Sequence, residues 1–476
     1  MTRFRMAFLF SFALALLLAQ PAFAVKTSKP PQLVGTAPGV VVDPILSAGD
    51  IVPDGQTPQY QMSGIPDGLG AWAKQQRGHR NNPRRHAKGT FHVLMNHELG
   101  ITFPGQPAGV DARISDLTIN RKTMDVLSAK YLLKGTVAEG FERFCSATLE
   151  MIHGTPWYFT GEEAINAGHD GSSIALNAKT GNWTETAHFG HIQHENVVPT
   201  KLSKWFFLTT DDDFRAGQDA YLYAYIAKTF RGAIKGTQGS LYVWKADDGT
   251  QSTDIEKGET LSGHFVPITQ AENANSTTIK AAAAAKGAFK FDRLEDAALY
   301  RRKKGRFYFT DTGKAPRTER GRVYQFDVNK GDPTQASLKL ILDGDHGDDF
   351  ANPDNLDTAP GKVVFQEDRE SAFRNVYNRV LVYDIKTGSL TPVARVDTPA
   401  TMPPGTWESS GVVNASQILG RGWWFTDVQA HGTAAFPPST PQPGPTLEPN
   451  SATGEDGQLQ AVFIPQTIAG KGRAPR

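Results

Sequence analysis

Short runs of aliphatic, β-branched and aromatic residues recur along the chain, and each breaks at a cluster of turn-forming residues. Ile114–Ile119 leads into Asn120-Arg121-Lys122-Thr123, and Ser173–Leu176 into Asn177-Ala178-Lys179-Thr180-Gly181. Leu241–Trp244 leads into Ala246-Asp247-Asp248-Gly249 and Val323–Phe326 into Asp327-Val328-Asn329-Lys330-Gly331. Val380–Tyr383 leads into Asp384-Ile385-Lys386-Thr387-Gly388. Asn, Asp and Gly tolerate positive φ, so each segment reads as a β-hairpin. Gly411–Val428 supplies a further strand pair, and Thr90–Met95 a strand placed to close a ring. A stack of β-sandwich modules would use the same hairpins. Repetition without a linker-like boundary favours a β-propeller. The expected fold is therefore all-β, a six-bladed propeller with loop and short helical insertions.

Two segments interrupt this pattern. Thr277–Lys286, with its alanine run, predicts a short helix, and the Pro-, Ser- and Thr-rich stretch Phe436–Gly457 predicts a surface loop. Leu459–Ile464 reads as one more strand.

The first residues carry a different signal. Arg3 and Arg5 precede the apolar run Ala7–Leu18, and Ala22-Phe23-Ala24 follows. That order reads as a secretory signal peptide over residues 1–24, too short in its apolar part to span a bilayer. A single propeller domain over 25–476, periplasmic or secreted, is the expectation. The 50 basic and 49 acidic residues nearly cancel, which argues against a nucleic-acid or membrane surface. A monomer acting on a small molecule is the expectation. Cys145 is the one cysteine. It reads either as an inert core thiol or as a thiolate protected by a metal.

Acidic residues and histidines gather near the ends of the predicted strands. The clusters are Asn96-His97-Glu98, Arg143-Phe144-Cys145-Ser146 with Glu162-Glu163, and His194-Glu195-Asn196. They continue with Asp292-Arg293-Leu294-Glu295-Asp296, Pro353-Asp354 with Asp368, and Glu408 with Gln429 and His431. In a propeller such ends meet around the central channel. Asp211-Asp212-Asp213 reads as a surface turn.

The stretch from Cys145 through Thr155-Pro156-Trp157 to Glu162-Glu163 resembles the PhoX-type calcium- and iron-dependent alkaline phosphatases. Gly287–Asp296 is similar to that family's Gly-Ala-x-Lys-Phe-x-Arg-Pro-Glu, with Leu294 standing where the family has Pro. Asn96-His97-Glu98, Pro353-Asp354, Asp368, Glu408 with Gly411, and Gln429 with His431-Gly432 follow in the family's order. The resemblance implies a six-bladed propeller that binds ferric iron and calcium in its channel and hydrolyses small phosphomonoesters. It makes Cys145, Glu295 and Glu408 iron-ligand candidates. Glu162, Glu163, Asp354, Asp368 and Glu98 become calcium candidates, and Arg293 a phosphate-binding group. Read without it, Glu162 and Glu163 are a solvated pair, Arg293 an ion-pair partner of its acidic neighbours and His97 a polar core residue. The rival functions are a calcium-dependent lactonase, esterase or phytase-like propeller, and a non-catalytic binding propeller.

Overall fold

The computed structural model describes residues 24–52, 59–74, 89–100, 112–135, 139–165, 169–268, 273–369, 378–434, 455–466 and 468. Six inner strands organise it: β1 (Pro66–Trp72), β2 (Phe144–Ile152), β3 (His194–Lys201), β4 (Leu294–Leu299), β5 (Pro353–Ala359) and β6 (Glu408–Asn414). Each packs against the next, and β6 packs back on β1, which closes a ring. Each inner strand opens an antiparallel sheet running outward, as in β2, Thr155–Glu162, Ser173–Asn177 and Trp183–Glu185. This is a β-propeller. The sheets of β3 and β4 are joined at their outer edge by the extra strand Thr260–Pro267.

The β6 sheet draws on distant parts of the chain. Trp423–Ala434 and Glu455–Phe463 pair outward from β6, and Val41–Ser47 completes the sheet against Glu455–Phe463. The closing strand is therefore Val41–Ser47. Thr90–Met95, expected to close the ring, lies instead in Thr90–His97, the second strand of the β1 sheet. Four of the five hairpin turns join the third and fourth strands of a sheet. The turn after Leu241–Trp244 leads instead from a fourth strand, Gly239–Ala246, to the extra strand. The expected helix forms over Ser276–Ala285, with Asn275 accepting from the Thr278 N–H as its N-cap. The expected strand near the C-terminus runs over Glu455–Phe463. Residues 435–454 of the Pro-rich stretch and residues 1–23 of the signal sequence lie outside the described residues. Among the described residues no helix is long and apolar enough to cross a membrane.

The apolar runs are continuous because both faces of each sheet are covered. In Trp205–Asp211, neighbouring side chains point to opposite faces. Phe206 packs towards Phe307 of the β4 sheet, and Phe207 towards Phe159 of the β2 sheet. One such apolar layer fills each gap between neighbouring sheets. Burial at about 25 cal/mol per Å² of apolar surface makes these layers the main driving force for the ring.

The inner strands approach so closely that side chains are excluded at some positions. A Cβ on Gly68 of β1 would lie 2.4 Å from the Cys145 carbonyl oxygen and 2.6 Å from the Ala147 nitrogen of β2. Neither backbone atom can move alone. Gly68→Ala is expected to destabilise the protein by about 3 kcal/mol, at the upper end of overpacking costs. A melting temperature unchanged from the parent protein would refute this contact.

Candidate metal centre

The pairing register turns the repeat into a site. Pro66 pairs with His97, Phe144 with Glu162, His194 with Asp211, Leu294 with Asp311 and Pro353 with Glu367. One residue further along each inner strand stand Asp67, Cys145, Glu195, Glu295 and Asp354. One residue beyond each partner stand Glu98, Glu163, Asp212, Thr312 and Asp368. The sixth sheet pairs Glu408 with Gln429 and so offers its acid one position earlier. The ladder shifts register at this end of all six inner-strand pairs. Such bulges re-aim side chains, and here they accompany donor groups that converge at one end of the channel.

Four overlapping groups result: Asp67, Glu98 and Cys145; Cys145, Glu163 and Glu195; Glu195, Glu295 and Asp354; Asp354, Asp368 and Glu408. Within each group the potential ligand atoms lie within 4.8 Å of one another. Eight carboxylates and one thiol thus form a continuous chain. A polar layer fixes them from behind. Asn355 donates to Asp67 Oδ1 at 3.1 Å and to Ser146 Oγ at 2.7 Å. Ser146 donates to Glu195 Oε1, and Gln429 donates to Asp67 Oδ2 and Glu98 Oε2, each at 3.1 Å.

So many acids cannot all stay charged in a dry channel without compensation. Burial, reinforced by the neighbouring carboxylates, pushes Asp67, Glu195, Glu295 and Asp354 well above the ordinary carboxylate range. Burial and the surrounding carboxylates, Glu163 foremost, likewise push the Cys145 thiol up. The thiol donates to Glu163 Oε2 at 3.2 Å.

Two guanidinium groups cover the acids on the solvent side. Arg293 grips Asp212 with Nε–Oδ1 at 2.9 Å and Nη2–Oδ2 at 2.6 Å, and reaches Glu295 at 3.1 Å. Arg143 spans Glu163 at 2.8 Å and Glu98 at 3.0 Å. Arg143 holds a φ of 51°, a left-handed conformation uncommon for a side-chain-bearing residue and concentrated at functional sites. At the far edge His431 lies 3.3 Å from Glu408 and 2.7 Å from Glu455, and these carboxylates raise its pKa against the effect of burial.

Glu98, Cys145, Glu163, Glu295, Asp354, Asp368 and Glu408 therefore converge, with Arg293 above them. Glu162 does not join them. Its carboxylate accepts from the backbone N–H groups of Glu142 at 2.8 Å, His169 at 3.0 Å and Gly171 at 2.9 Å, which anchors a loop. Burial nevertheless raises its pKa to about 8. His97 is also apart, between the Gly64 carbonyl and Ser115. Asp211, Asp212 and Asp213 are fully buried, not a surface turn, because Lys280 and Arg293 neutralise them. Asp67 was not singled out from the sequence; Arg143 and Glu195 stood in its clusters without an assigned role, and Asp212 stood in the expected surface turn. The signal for Asp67 is the Pro-Asp pair shared by Pro66-Asp67 and Pro353-Asp354 at matching positions.

This donor set fits bound cations. Glu195 Oε2 is buried without a hydrogen-bond partner among the described residues. Carboxylates suit calcium and ferric iron, and a thiolate adds a softer donor that suits iron.

No family model matches the chain, and no curated protein matches it by sequence. Among solved structures, PhoX of Pseudomonas fluorescens in complex with vanadate aligns with a TM-score of 0.60 at 13% identity, over 92% of this chain and 97% of that one. The β-propeller domain of the Trilobed protease from Pyrococcus furiosus aligns at 0.30 with 8% identity, over 72% of this chain and 89% of that one. An α-L-arabinofuranosidase from Lactobacillus brevis aligns at 0.34 with 11% identity, over 72% and 93%. The first likeness alone is close enough to compare folds, and it establishes that this chain has a PhoX-like propeller.

Proposed function

We propose that this chain is an exported, metal-dependent phosphomonoesterase with its active centre at the donor-bearing end of the channel. The observation that carries the reading is the chain of eight carboxylates and one thiol, against which two guanidinium groups, Arg143 and Arg293, pair among the described residues. Cys145, Glu295 and Glu408 would hold iron. Glu98, Glu163, Asp354 and Asp368 would hold calcium, with Asp67 and Glu195 joining the two sets. Bound there, the cations would supply Lewis acidity and lower the pKa of a water molecule. Arg293, on the solvent side, would pair with the phosphoryl oxygens and neutralise charge that grows in the transition state. Arg143 is placed to do the same. Water forms the new P–O bond, the ester P–O bond breaks, and the alcohol leaves with a proton. The chain would act outside the cytoplasm as a monomer on small phosphoesters, its balanced charge offering no surface for nucleic acid or membrane.

The test is elemental analysis of protein purified from its native compartment, together with hydrolysis of p-nitrophenyl phosphate. Iron and calcium in the protein, with turnover lost in Cys145→Ser by at least ~100-fold, support the reading. Calcium without iron, and turnover of esters or lactones that survives Cys145→Ser, would replace it with the calcium-only hydrolase. Metal with no turnover of any ester would leave a binding propeller.

A further inference from the structure

Phe214 stands apart from the rest of the molecule. It is 42% exposed, the one aromatic residue among the exposed large apolar residues described, and it belongs to none of the apolar layers between sheets. Its ring lies over the guanidinium carbons of both Arg143, at 5.1 Å, and Arg293, at 6.0 Å. The three side chains form an outer tier above the buried acids, with the phenyl outermost and the arginines 26% and 20% exposed beneath it.

The backbone that presents this ring is firmly held. Lys280, from the helix Ser276–Ala285, reaches Asp211 and Asp213 at 2.7 Å each and the Asp219 carbonyl at 3.2 Å. Lys314 donates to the carbonyls of Asp213 and Gln218, at 2.6 and 2.9 Å. Arg317 pairs with Asp219 at 2.9 Å, and Arg215 pairs with both Asp213 oxygens. Ordering long basic side chains costs conformational entropy, and here the ordered loop exposes a phenyl ring to water. A ring held this rigidly is a preformed contact surface for a partner with an apolar face.

We propose that Phe214 is a specificity residue that selects phosphomonoesters whose leaving alcohol carries an aromatic ring. This rests on the phosphomonoesterase reading. In an aryl phosphate a single oxygen separates phosphorus from the ring. A phosphoryl group on the two guanidinium groups therefore brings the leaving ring against Phe214. An alkyl phosphate such as glycerol 2-phosphate has nothing to stack there.

The experiment compares kcat/KM for phenyl phosphate and glycerol 2-phosphate in the parent protein, Phe214→Ala and Phe214→Trp, all metal-loaded. The aryl-to-alkyl ratio is expected to fall about five- to tenfold in Phe214→Ala and to recover in Phe214→Trp. An unchanged ratio overturns the proposal. Calorimetric binding of phenylphosphonate and methylphosphonate, which have no ester bond to hydrolyse, separates this failure from failure of the catalytic reading. If no ester is turned over but phenylphosphonate binding weakens selectively in Phe214→Ala, aryl recognition stands and the phosphatase falls. If turnover is present and phenylphosphonate binds parent and Phe214→Ala equally, the phosphatase stands and aryl recognition falls. If neither phosphonate binds and no ester is turned over, both fall.

Discussion

Stripping bound metal with EDTA is expected to abolish ester hydrolysis and to lower the melting temperature by about 5–10 °C. Two unit charges 4.8 Å apart repel by about 3.5 kcal/mol at an effective dielectric constant of about 20. Each group in the channel holds three such donors. Cations that bind only the folded chain stabilise it by about 2.7 kcal/mol each when present at about a hundred times Kd, and each kcal/mol shifts the midpoint by a few degrees at most in a protein this large. The pH dependence has a definite sign. Burial first, and neighbouring carboxylates after it, raise the folded-state pKa of Asp67, Glu195, Glu295 and Asp354 well above the ordinary carboxylate range. Groups raised in this way contribute stability that is fully present below the unfolded pKa and is lost as pH rises through the folded value. The metal-free protein should therefore lose stability steadily above about pH 4. The loaded protein should not, because cations bind the deprotonated ligands. Thermal melts across pH, with and without chelator, would show two diverging curves. Parallel curves would mean that the channel acids hold no metal.

Glu195→Gln should act with opposite signs in the two states. Glu195 is common to two of the four groups, one with Cys145 and Glu163 and one with Glu295 and Asp354. Its Oε1 accepts from Ser146, while Oε2 has no partner among the described residues. The amide keeps the shape and one acceptor but removes the charge. The loaded enzyme is expected to lose at least ~1000-fold in kcat and to retain less metal, because one substitution opens both groups. The chelated variant is expected to melt higher than the chelated parent, because an uncompensated buried acid has gone. Inductively coupled plasma analysis and scanning calorimetry read the two effects separately. A variant destabilised equally with and without metal would make Glu195 a packing residue.

Much of the architecture was legible because the hairpin turns carry Asn, Asp and Gly, and Gly181, Gly249 and Gly388 take positive φ there, although the first turn places Met124 at positive φ instead. Asn120, Asn177 and Asp384 each accept from the backbone two residues on, as such turns require. The closing strand was not legible, because Val41–Ser47 carries no turn signal tying it to Glu455–Phe463. Asp211-Asp212-Asp213 misled for a related reason. Three adjacent acids look solvated until Lys280 and Arg293, far along the chain, arrive to neutralise them. Asp67 was hidden in Pro66-Asp67-Gly68, which reads as a turn. Gly68 is there because β2 leaves no room for a Cβ. The clustered acids could be read as channel residues, but the one-residue offset that separates Glu163 from Glu162 comes only from the pairing register.

The sixth sheet joins Val41–Ser47 to Glu455–Phe463, and this orders events during synthesis. All six inner strands are made before residue 455, but the sixth sheet stays incomplete until the segment at 455–463 is made. A truncated product that stops before residue 455 would carry every acid of the four groups yet leave the sixth sheet without its two outer strands. Completion of the sheet that carries Glu408 is thus coupled to synthesis of the segment at 455–463.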